Sequence, residues 1–306
     1  MLTGDDTVCQ NVRMSTQGGI VGKMAKKNIF SFYQMKEKGE KITYLTAYDF
    51  PTARMAEVAG LDMLLVGDSL GMVVYGYEGT LPVTMDQMIV HSQAVRRGAP
   101  NTFVIGDMPF LSYQQSVTEA IESAGRFHKE AGVDAVKLEG GRRVGAQIRG
   151  IVESGMLVMG HIGLTPQSSA QLGGFKAQAN TAEAAMEIIA DARAVEEAGA
   201  FAILLEAIPP EVGKVITETL KIPVLGIGAG PHCDGQLLIV SDMLGIFEAF
   251  TPKFVKKYAN LAGEIVAAFQ EYINEVRSGK FPEEQYCYKM KAGEAEKFRE
   301  LLSKSS

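Results

Sequence analysis

Short apolar runs alternate along this chain with segments whose apolar residues recur at helical spacing. The runs at 63–66 and 103–105 contain only apolar residues, which is typical of strands buried on both faces. Both runs end in a Gly-Asp pair, which places Asp68 and Asp107 at the ends of predicted strands. Further runs of this kind bring the number of predicted strands to eight, near residues 42, 63, 102, 135, 156, 201, 223 and 237.

Helix boundaries between these strands are indicated by capping residues. Asp49 followed by Pro51 predicts a helix start that runs to Gly60, and Thr84 with Gln87 has the spacing of a capping box. Residues 70–83 and 162–180 are predicted loops, and a loop as long as the second is usually functional. The other predicted helices cover residues 29–37, 84–97, 116–131, 143–154, 182–198, 209–220 and 253–276.

Eight strands that alternate with helices predict an α/β protein with a (β/α)₈ TIM barrel. An open doubly wound sheet is the alternative, but it concentrates its site at one switch point. Polar residues at the ends of many different strands favour the barrel. We assign residues 28–283 to a single barrel catalytic domain, residues 1–27 to a disordered extension that lacks hydrophobic period, and residues 284–306 to a polar tail.

Composition argues against two classes of binding partner and indicates a cellular location. The 306 residues carry a net charge of −6, with a sequence pI near 5.4, which argues against nucleic acid or an anionic membrane as partner. Apolar runs stay shorter than the roughly 18 residues of a membrane span, so no membrane location is predicted. The three cysteines have no paired spacing and predict reduced thiols in a cytoplasmic protein.

Charged and polar residues stand at or near the carboxyl ends of several apolar strands. In a barrel these ends converge on the mouth, where barrel enzymes keep their active sites. Charges beside an apolar core are costly, so a concentration of them suggests a use. The candidate site residues are Asp68, Ser69, Asp107, Lys137, Glu139, His161 and Glu206.

Structural roles compete with each of these assignments. Asp68 and Asp107 could cap the helices that follow their strands, and Lys137 could form an ion pair with Glu139. His161 could be a rim histidine bonded to backbone. Glu206 follows five consecutive apolar residues and is the hardest of the set to explain structurally.

Two aspartates at one rim, Asp68 and Asp107, suggest a binding site for a hard divalent cation. Magnesium takes one or two carboxylates, keeps several waters and accepts substrate oxygens. A 2-oxo acid offers a ketone and a carboxylate in chelating geometry, and chelation polarises the ketone and stabilises an enolate. A carboxylate base could then remove the adjacent proton, while Lys137 neutralises substrate charge.

At these residues the sequence resembles the 3-methyl-2-oxobutanoate (ketopantoate) hydroxymethyltransferase family. The likeness covers residues 28–283 in colinear order. It rests on TAYD at 46–49, VGDSLG at 66–71, TLPVT at 80–84, AVRRGAP at 94–100, VKLEGG at 136–141, GHIGLTPQ at 160–167, GGFK at 173–176 and IPVLGIGAG at 222–230. The chain departs from the family pattern at 177–180 and at 232–233, which concerns the lid and not the chemistry.

The resemblance implies a barrel of the phosphoenolpyruvate/pyruvate type, a homo-oligomer that is typically a decamer, and Mg²⁺. It implies hydroxymethyl transfer from 5,10-methylenetetrahydrofolate to 3-methyl-2-oxobutanoate through a Mg-stabilised enolate, giving 2-dehydropantoate for pantothenate and coenzyme A. The partners are thus a small 2-oxo acid and a folate. Matched by motif, Glu206 is the proton acceptor; the metal residues are Asp68, Asp107 and Glu139, and the substrate residues are Asp68, Ser69, Asp107, Lys137 and His161.

Two other functions stay open on the sequence. A magnesium-enolate barrel of the phosphoenolpyruvate mutase and isocitrate lyase kind would share the chemistry, but the cysteine-bearing lid motif of those enzymes is missing. A non-catalytic barrel that binds a small acid is the other, and the full set of acids with Lys137 argues against it. Turnover of the oxo acid discriminates between them.

Overall fold

A computed structural model describes residues 26–305, and eight parallel strands within them close into a barrel. Every strand pairs with its neighbours in chain order, and β1 pairs with β8 to complete the ring. The predicted (β/α)₈ fold is confirmed. The strands are β1 Ile42–Thr46, β2 Met63–Val66, β3 Phe103–Asp107, β4 Ala135–Glu139, β5 Val158–Gly163, β6 Ala202–Glu206, β7 Val224–Ile227 and β8 Gly235–Leu238.

Helices connect most of the strands, and their ends follow the predicted caps. Asp49 and Thr84 each accept a hydrogen bond from the backbone three residues on, and Gly60 ends its helix in the left-handed conformation. The helices are α1 Ile29–Lys38, α2 Phe50–Ala59, α3 Leu70–Val73, α4 Met85–Gly98, α5 Val117–Arg126, α6 Gly145–Glu153, α7 Ala182–Glu197, α8 Pro210–Thr219, α9 Val240–Met243, α10 Leu261–Ser278 and α11 Glu294–Lys304.

Short irregular helices supplement these elements. A π-helical turn, Phe127–Ala131, extends α5 to Gly132, and 3₁₀ turns cover Arg142–Val144, Pro166–Ser168 and Glu284–Tyr286. The long segment predicted as a loop, 162–180, is otherwise without regular structure beyond the end of β5.

Four predicted boundaries were wrong. His161 lies inside β5, not after it, because pairing with β6 continues as far as Gly163 opposite Glu206. The last strand ends at Leu238 and is followed by the short α9, and the loop predicted at 70–83 begins with α3, whose Leu70 is buried. The long C-terminal helix starts at Leu261 instead of 253, since Phe254 packs against the barrel core.

The barrel interior is filled by alternate residues of the strands. Phe32 of α1 is fully buried at the amino-terminal end, where its ring lies 5.2 Å from that of Phe103. At the opposite end the inward alternation continues into polar residues. Phe103 and Ile105 lead to Asp107 on β3, and Ala202 and Leu204 lead to Glu206 on β6. The two-residue repeat of the strands therefore places Asp107 and Glu206 on the inner side of the barrel at its mouth.

The chain divides into two compact units. One extends to Val240 and includes Pro252–Val255, and it contains the whole barrel. The other comprises Ser241–Thr251 and Lys256–Ser306 and contains α10 and α11, so the predicted polar tail includes a helix. That 28–283 acts as one catalytic domain stays a prediction. No helix among the described residues has the length and hydropathy to cross a membrane.

The predicted disordered extension, residues 1–27, lies almost wholly outside the described residues. Its last two members are described, and both make ion pairs with the barrel. Lys26 Nζ lies 2.6 Å from Asp134 Oδ1, and Lys27 pairs with Asp62. Lys26 and Lys27, which the prediction placed in the disordered extension, thus belong to the described structure.

Candidate active site

The structure brings the predicted charged residues together at the carboxyl end of the barrel. Asp68 follows β2, Asp107 ends β3, and Lys137 and Glu139 lie on β4 with His161 beside them on β5. All five are buried, with exposed fractions of 4%, 1%, 1%, 2% and 2%. Buried ionisable side chains in this number are rare away from functional sites.

A chain of close polar contacts crosses the mouth. Lys137 Nζ lies 2.8 Å from Asp107 Oδ1 and 3.3 Å from His161 Nδ1. His161 Nε2 lies 3.1 Å from Glu206 Oε2, and the Glu206 side chain is 15% exposed. Lys137, His161 and Glu206 are therefore neighbours in series, and Glu206 is the member that solvent or a substrate can reach.

The backbone around Glu206 is tightly constrained. Ala207, the next residue, adopts a φ of 48°, which an alanine rarely does. Opposite Glu206, Gly163 has a φ of 93°, and a Cβ there would meet the Glu206 carbonyl oxygen at 2.3 Å. Unusual backbone of this kind is concentrated at functional sites.

Burial and mutual repulsion favour the protonated forms of two acids. Burial, with Asp107 and Glu139 adding to it, raises the pKa of Asp68 well above its usual value. Burial likewise raises the pKa of Glu139 to about 8, although Lys137 opposes this. Three acids share one lysine here, so the cluster lacks positive charge.

The two basic groups shift in opposite directions. Burial alone would lower the pKa of Lys137, but Asp107, Glu139 and Asp68 outweigh it and raise that pKa above its usual value. Burial and then Lys137 lower the pKa of His161, so its imidazole is neutral. Because the Lys137 ammonium can only donate, we assign His161 Nδ1 as the acceptor and place the ring proton on Nε2, facing Glu206.

Oxygens of the acid cluster remain available to a cation. Glu139 Oε1 has no hydrogen-bond partner among residues 26–305, and Asp107 Oδ1 approaches Lys137 without the alignment of a hydrogen bond. Carboxylate oxygens of this kind suit Mg²⁺. No three His, Cys, Asp or Glu side chains of the described chain enclose a metal position by themselves. Such an open set matches an ion that takes two carboxylates and completes its shell with water and substrate oxygens.

Ser69 stands at the edge of the cluster. Its hydroxyl makes no capping bond to α3 and lies 2.8 Å from the Tyr48 hydroxyl. Ser69 is partly exposed, unlike its neighbour Asp68, so the structure brings it to the same mouth with its side chain accessible.

Sequence reasoning missed two residues of the site. Gln167 donates from Nε2 to Asp68 Oδ2 at 2.9 Å, and its backbone N–H donates to Glu139 Oε2 at 3.0 Å. Tyr113 donates its hydroxyl proton to Gln167 Oε1 at 2.7 Å. Neither residue sits on a strand, so the strand-end pattern could not select them; the length of the 162–180 loop was the available signal.

A family model described as ketopantoate hydroxymethyltransferase matches residues 26–284. The chain is 61% identical over 263 residues to 3-methyl-2-oxobutanoate hydroxymethyltransferase of Alkaliphilus metalliredigens, covering 86% of this chain and 93% of that protein. It is 56% identical to the protein of the same name from Moorella thermoacetica, covering 83% of this chain and 95% of that one.

Solved structures share the fold at low sequence identity. A phosphonopyruvate hydrolase complex with oxalate and Mg²⁺ matches with a TM-score of 0.56 and 14% identity, over 92% of this chain and 98% of that chain. A 2,3-dimethylmalate lyase of the phosphoenolpyruvate mutase/isocitrate lyase superfamily matches with a TM-score of 0.53 and 18% identity, over 91% and 98%. These structural likenesses support the barrel fold that the sequence predicts.

Proposed function

The chain belongs to the ketopantoate hydroxymethyltransferase family, and from that premise we propose how its barrel mouth works. The protein is a hydroxymethyltransferase of pantothenate biosynthesis. Its substrates are 3-methyl-2-oxobutanoate and 5,10-methylenetetrahydrofolate, and its product is 2-dehydropantoate. The observation that carries the proposal is the contact series from Asp107 through Lys137 and His161 to the accessible carboxylate of Glu206.

Mg²⁺ is the proposed cofactor. Asp68 and Asp107 would hold it, with Glu139 adjacent, because this cluster has buried carboxylate oxygens and too little positive charge. When bound, the ion supplies Lewis-acid polarisation of the ketone of the oxo acid. The protein's own contribution is to keep the surrounding space dry and the carboxylates fixed.

Glu206 is the proposed general base. Its carboxylate takes the proton from C3 of the oxo acid, and the electron pair of that C–H bond moves into the C2–C3 bond of an enolate. C3 forms the new bond to the methylene carbon of the folate, and the two bonds from that carbon to the folate nitrogens break. Water supplies the hydroxyl group, and its second proton and the proton taken by Glu206 end on the two nitrogens of the tetrahydrofolate that leaves. His161 Nε2 lies 3.1 Å from Glu206 Oε2, without the alignment of a hydrogen bond, and would orient the carboxylate through this contact.

Lys137 and Ser69 are the proposed contacts to the oxo acid. The Lys137 ammonium stays charged in its acidic surroundings and offsets negative charge on the substrate. The Ser69 hydroxyl, at 2.8 Å from that of Tyr48, presents a donor at the accessible edge of the mouth.

Turnover measured with and without Mg²⁺ tests the proposal. We expect 2-dehydropantoate from 3-methyl-2-oxobutanoate and methylenetetrahydrofolate, and loss of activity in chelator that added Mg²⁺ restores. Full activity in chelator would remove the metal from the proposal. Absence of product under all conditions, with an intact fold, would contradict the proposed reaction itself.

The proposed partner is a second copy of the chain. Helix α10 has no buried residue and carries an apolar stripe in which Phe269 is 63% exposed. A stripe that wide normally packs against another surface. Its exposed members at helical spacing are Val266, Phe269, Tyr272, Ile273 and Val276.

Sedimentation of the parent protein and of Phe269→Glu tests this proposal. We expect an oligomer, with the decamer as the family size, and a smaller species for the variant. A monomeric parent would contradict it. We also keep the cytoplasm as the proposed location, since Cys233 and Cys287 carry free thiols.

A further inference from the structure

Gln167 has the contacts of a residue that organises the acids of the mouth. It lies in the 3₁₀ turn Pro166–Ser168 and is only 5% exposed. From the segment that follows β5 it reaches the ends of three other strands, because its partners include Asp68 after β2, Met108 after β3 and Glu139 on β4. A polar side chain buried this deeply needs all its hydrogen bonds.

Its side-chain amide is fully used. Nε2 donates to Asp68 Oδ2 at 2.9 Å and to the Met108 carbonyl oxygen at 3.0 Å. Oε1 accepts from the Tyr113 hydroxyl at 2.7 Å and from Gln114 Nε2 at 3.2 Å. Rotating the amide by half a turn would place an oxygen against two acceptors, so these neighbours fix its orientation.

Tyr113 holds this amide and Glu139 together. Its hydroxyl accepts the backbone N–H of Glu139 at 3.0 Å while it donates to Gln167 Oε1. Tyr113 is itself 1% exposed. The phenol therefore locks the turn that carries Gln167 onto the end of β4.

As a result, one carboxylate oxygen of Asp68 and one of Glu139 accept a hydrogen bond. Gln167 engages Asp68 Oδ2 through its side chain and Glu139 Oε2 through its backbone N–H. Glu139 Oε1 is left without a hydrogen-bond partner in the described chain. Hydrogen bonds from outside a metal's ligand set decide which ligand oxygen faces the ion.

We propose that Gln167, held by Tyr113, is a positioning residue that fixes the carboxylate orientations of Asp68 and Glu139 for the divalent cation and the oxo acid. The inference rests on the proposed function, because it takes the acid cluster as the cation site. Gln167 touches no reacting atom in this role. A purely structural role for Gln167 would instead lower stability and leave the cation affinity of the folded protein unchanged.

The test is Mn²⁺ affinity, followed by electron paramagnetic resonance, in the parent, Gln167→Met and a matched control. Gln171→Met is that control, since Gln171 lies in the same segment but bonds Arg143 instead of an acid. Loss of an outer-shell hydrogen bond costs about 10- to 100-fold in metal affinity or activity. We expect Gln167→Met to bind Mn²⁺ weaker by about that factor and Gln171→Met to match the parent.

Tyr113→Phe gives a second, independent measurement. It removes the donor to Gln167 Oε1 and should weaken Mn²⁺ binding in the same direction but less. Because both residues act through one set of hydrogen bonds, the double variant should be no worse than Gln167→Met alone. If Gln167→Met fails to fold, Tyr113→Phe against Gln171→Met decides the question.

Unchanged Mn²⁺ affinity in folded Gln167→Met or in Tyr113→Phe overturns the inference, as do additive effects in the double variant. Failure of the proposed function is distinguishable from this. A parent that binds Mn²⁺ but never converts the oxo acid contradicts the proposed reaction, while the comparison of Mn²⁺ affinities still decides the role of Gln167.

Discussion

The two ends of the barrel use buried or half-buried acids in opposite ways. At the amino-terminal end, Asp62, Asp134 and Asp234 each stand one position before a strand, namely β2, β4 and β8. Each accepts a backbone N–H of the preceding strand at 2.7 to 2.9 Å and pairs with at least one basic side chain. Asp62 contacts the Thr43 amide and Lys27. Asp134 contacts the Val104 amide, Arg96 and Lys26. Asp234 contacts the Val224 amide and Lys36.

Of the three acids at the mouth, only Asp107 has both kinds of partner, since it accepts the backbone N–H of Asp68 at 3.0 Å and lies 2.8 Å from Lys137 Nζ. Asp68, Asp107 and Glu139 share the single ammonium of Lys137, and burial raises the pKa of Asp68 and of Glu139. Acids with complete hydrogen bonds stabilise the barrel by tying adjacent strands together. Acids left incomplete destabilise the fold and are retained where a ligand completes them. The two ends of the barrel therefore differ in how many basic partners their acids have.

The largest effect is expected for Glu206→Gln. Removing a general base costs about 10²–10⁴ in rate, or roughly 3–5 kcal/mol of barrier. The variant should still bind magnesium and 3-methyl-2-oxobutanoate, because neither chelating oxygen uses Glu206. The measurement is exchange of the C3 proton for deuterium, followed by NMR without folate.

Equal exchange rates in Glu206→Gln and the parent would show that another group is the base. His161 acting through a water is then the first alternative, since its Nε2 lies 3.1 Å from Glu206 Oε2. If the parent itself does not exchange, the measurement is repeated with a folate analogue bound.

Matched Asp→Asn substitutions at the two ends compare them directly. Asp107→Asn and Asp68→Asn at the mouth should both lose magnesium-dependent activity. Asp68→Asn should keep or raise the melting temperature because a buried charge is removed, whereas Asp107→Asn should lower it because buried Lys137 loses its closest counter-ion. Asp134→Asn should keep kcat but lose about 1.5–3 kcal/mol of unfolding free energy, the usual worth of hydrogen bonds to a charged group.

Denaturant unfolding and steady-state turnover of these variants provide the measurements. A mouth variant that binds magnesium and the oxo acid as the parent does would show that its aspartate is not part of the metal site. Normal stability of Asp134→Asn would show that its bonds to Arg96, Lys26 and Val104 do not hold the strands together.

Stability of the metal-free protein should fall as pH rises. Burial raises the pKa of Glu139 from 4.5 to about 8, so the folded state holds this proton more tightly than the unfolded chain does. The contribution of Glu139 therefore becomes less favourable between about pH 4.5 and about pH 8 and is constant above that. Melting temperatures in chelator measure this slope.

Glu139→Gln should reduce the slope, and excess Mg²⁺ should reduce it in the parent, because a cation stabilises the deprotonated acids. The same slope in Glu139→Gln as in the parent would assign the pH dependence to other groups, with Asp68 next in order.

The smallest effects are expected from trimming the chain's start. A protein beginning at Lys26 should match the parent in turnover and melting temperature, because it keeps the ion pairs of Lys26 and Lys27. Beginning at Asn28 removes both pairs, each worth about 0.2–1 kcal/mol for partly exposed charges. Thermal melts of the two proteins compare these contributions, and a large loss in the first would make residues 1–25 part of the fold or of an interface.

The sequence by itself determined the barrel and most of the charged residues that lie together at its mouth. Eight apolar runs of strand length, most of them separated by helices with recognisable caps, specify the barrel, and the four runs that lead to Asp or Glu place these acids at one rim. Strand alternation is local, so Asp107, Lys137, Glu139 and Glu206 could be selected without coordinates. Boundaries that depend on pairing were less accessible: His161 is inside β5 only because β6 continues the register beside it.

Only the tertiary structure decided which hydrogen-bond partners these residues have. Gln167 lies 99 positions from Asp68, and Tyr113 lies 54 positions from Gln167, so no period in the chain connects them. The contrast between aspartates before the strands that each have a basic partner and mouth acids that share one lysine is likewise invisible in composition, because both are simply aspartate or glutamate. Hydrogen-bond satisfaction depends on which groups the closed barrel brings within reach, and that is a property of three-dimensional packing.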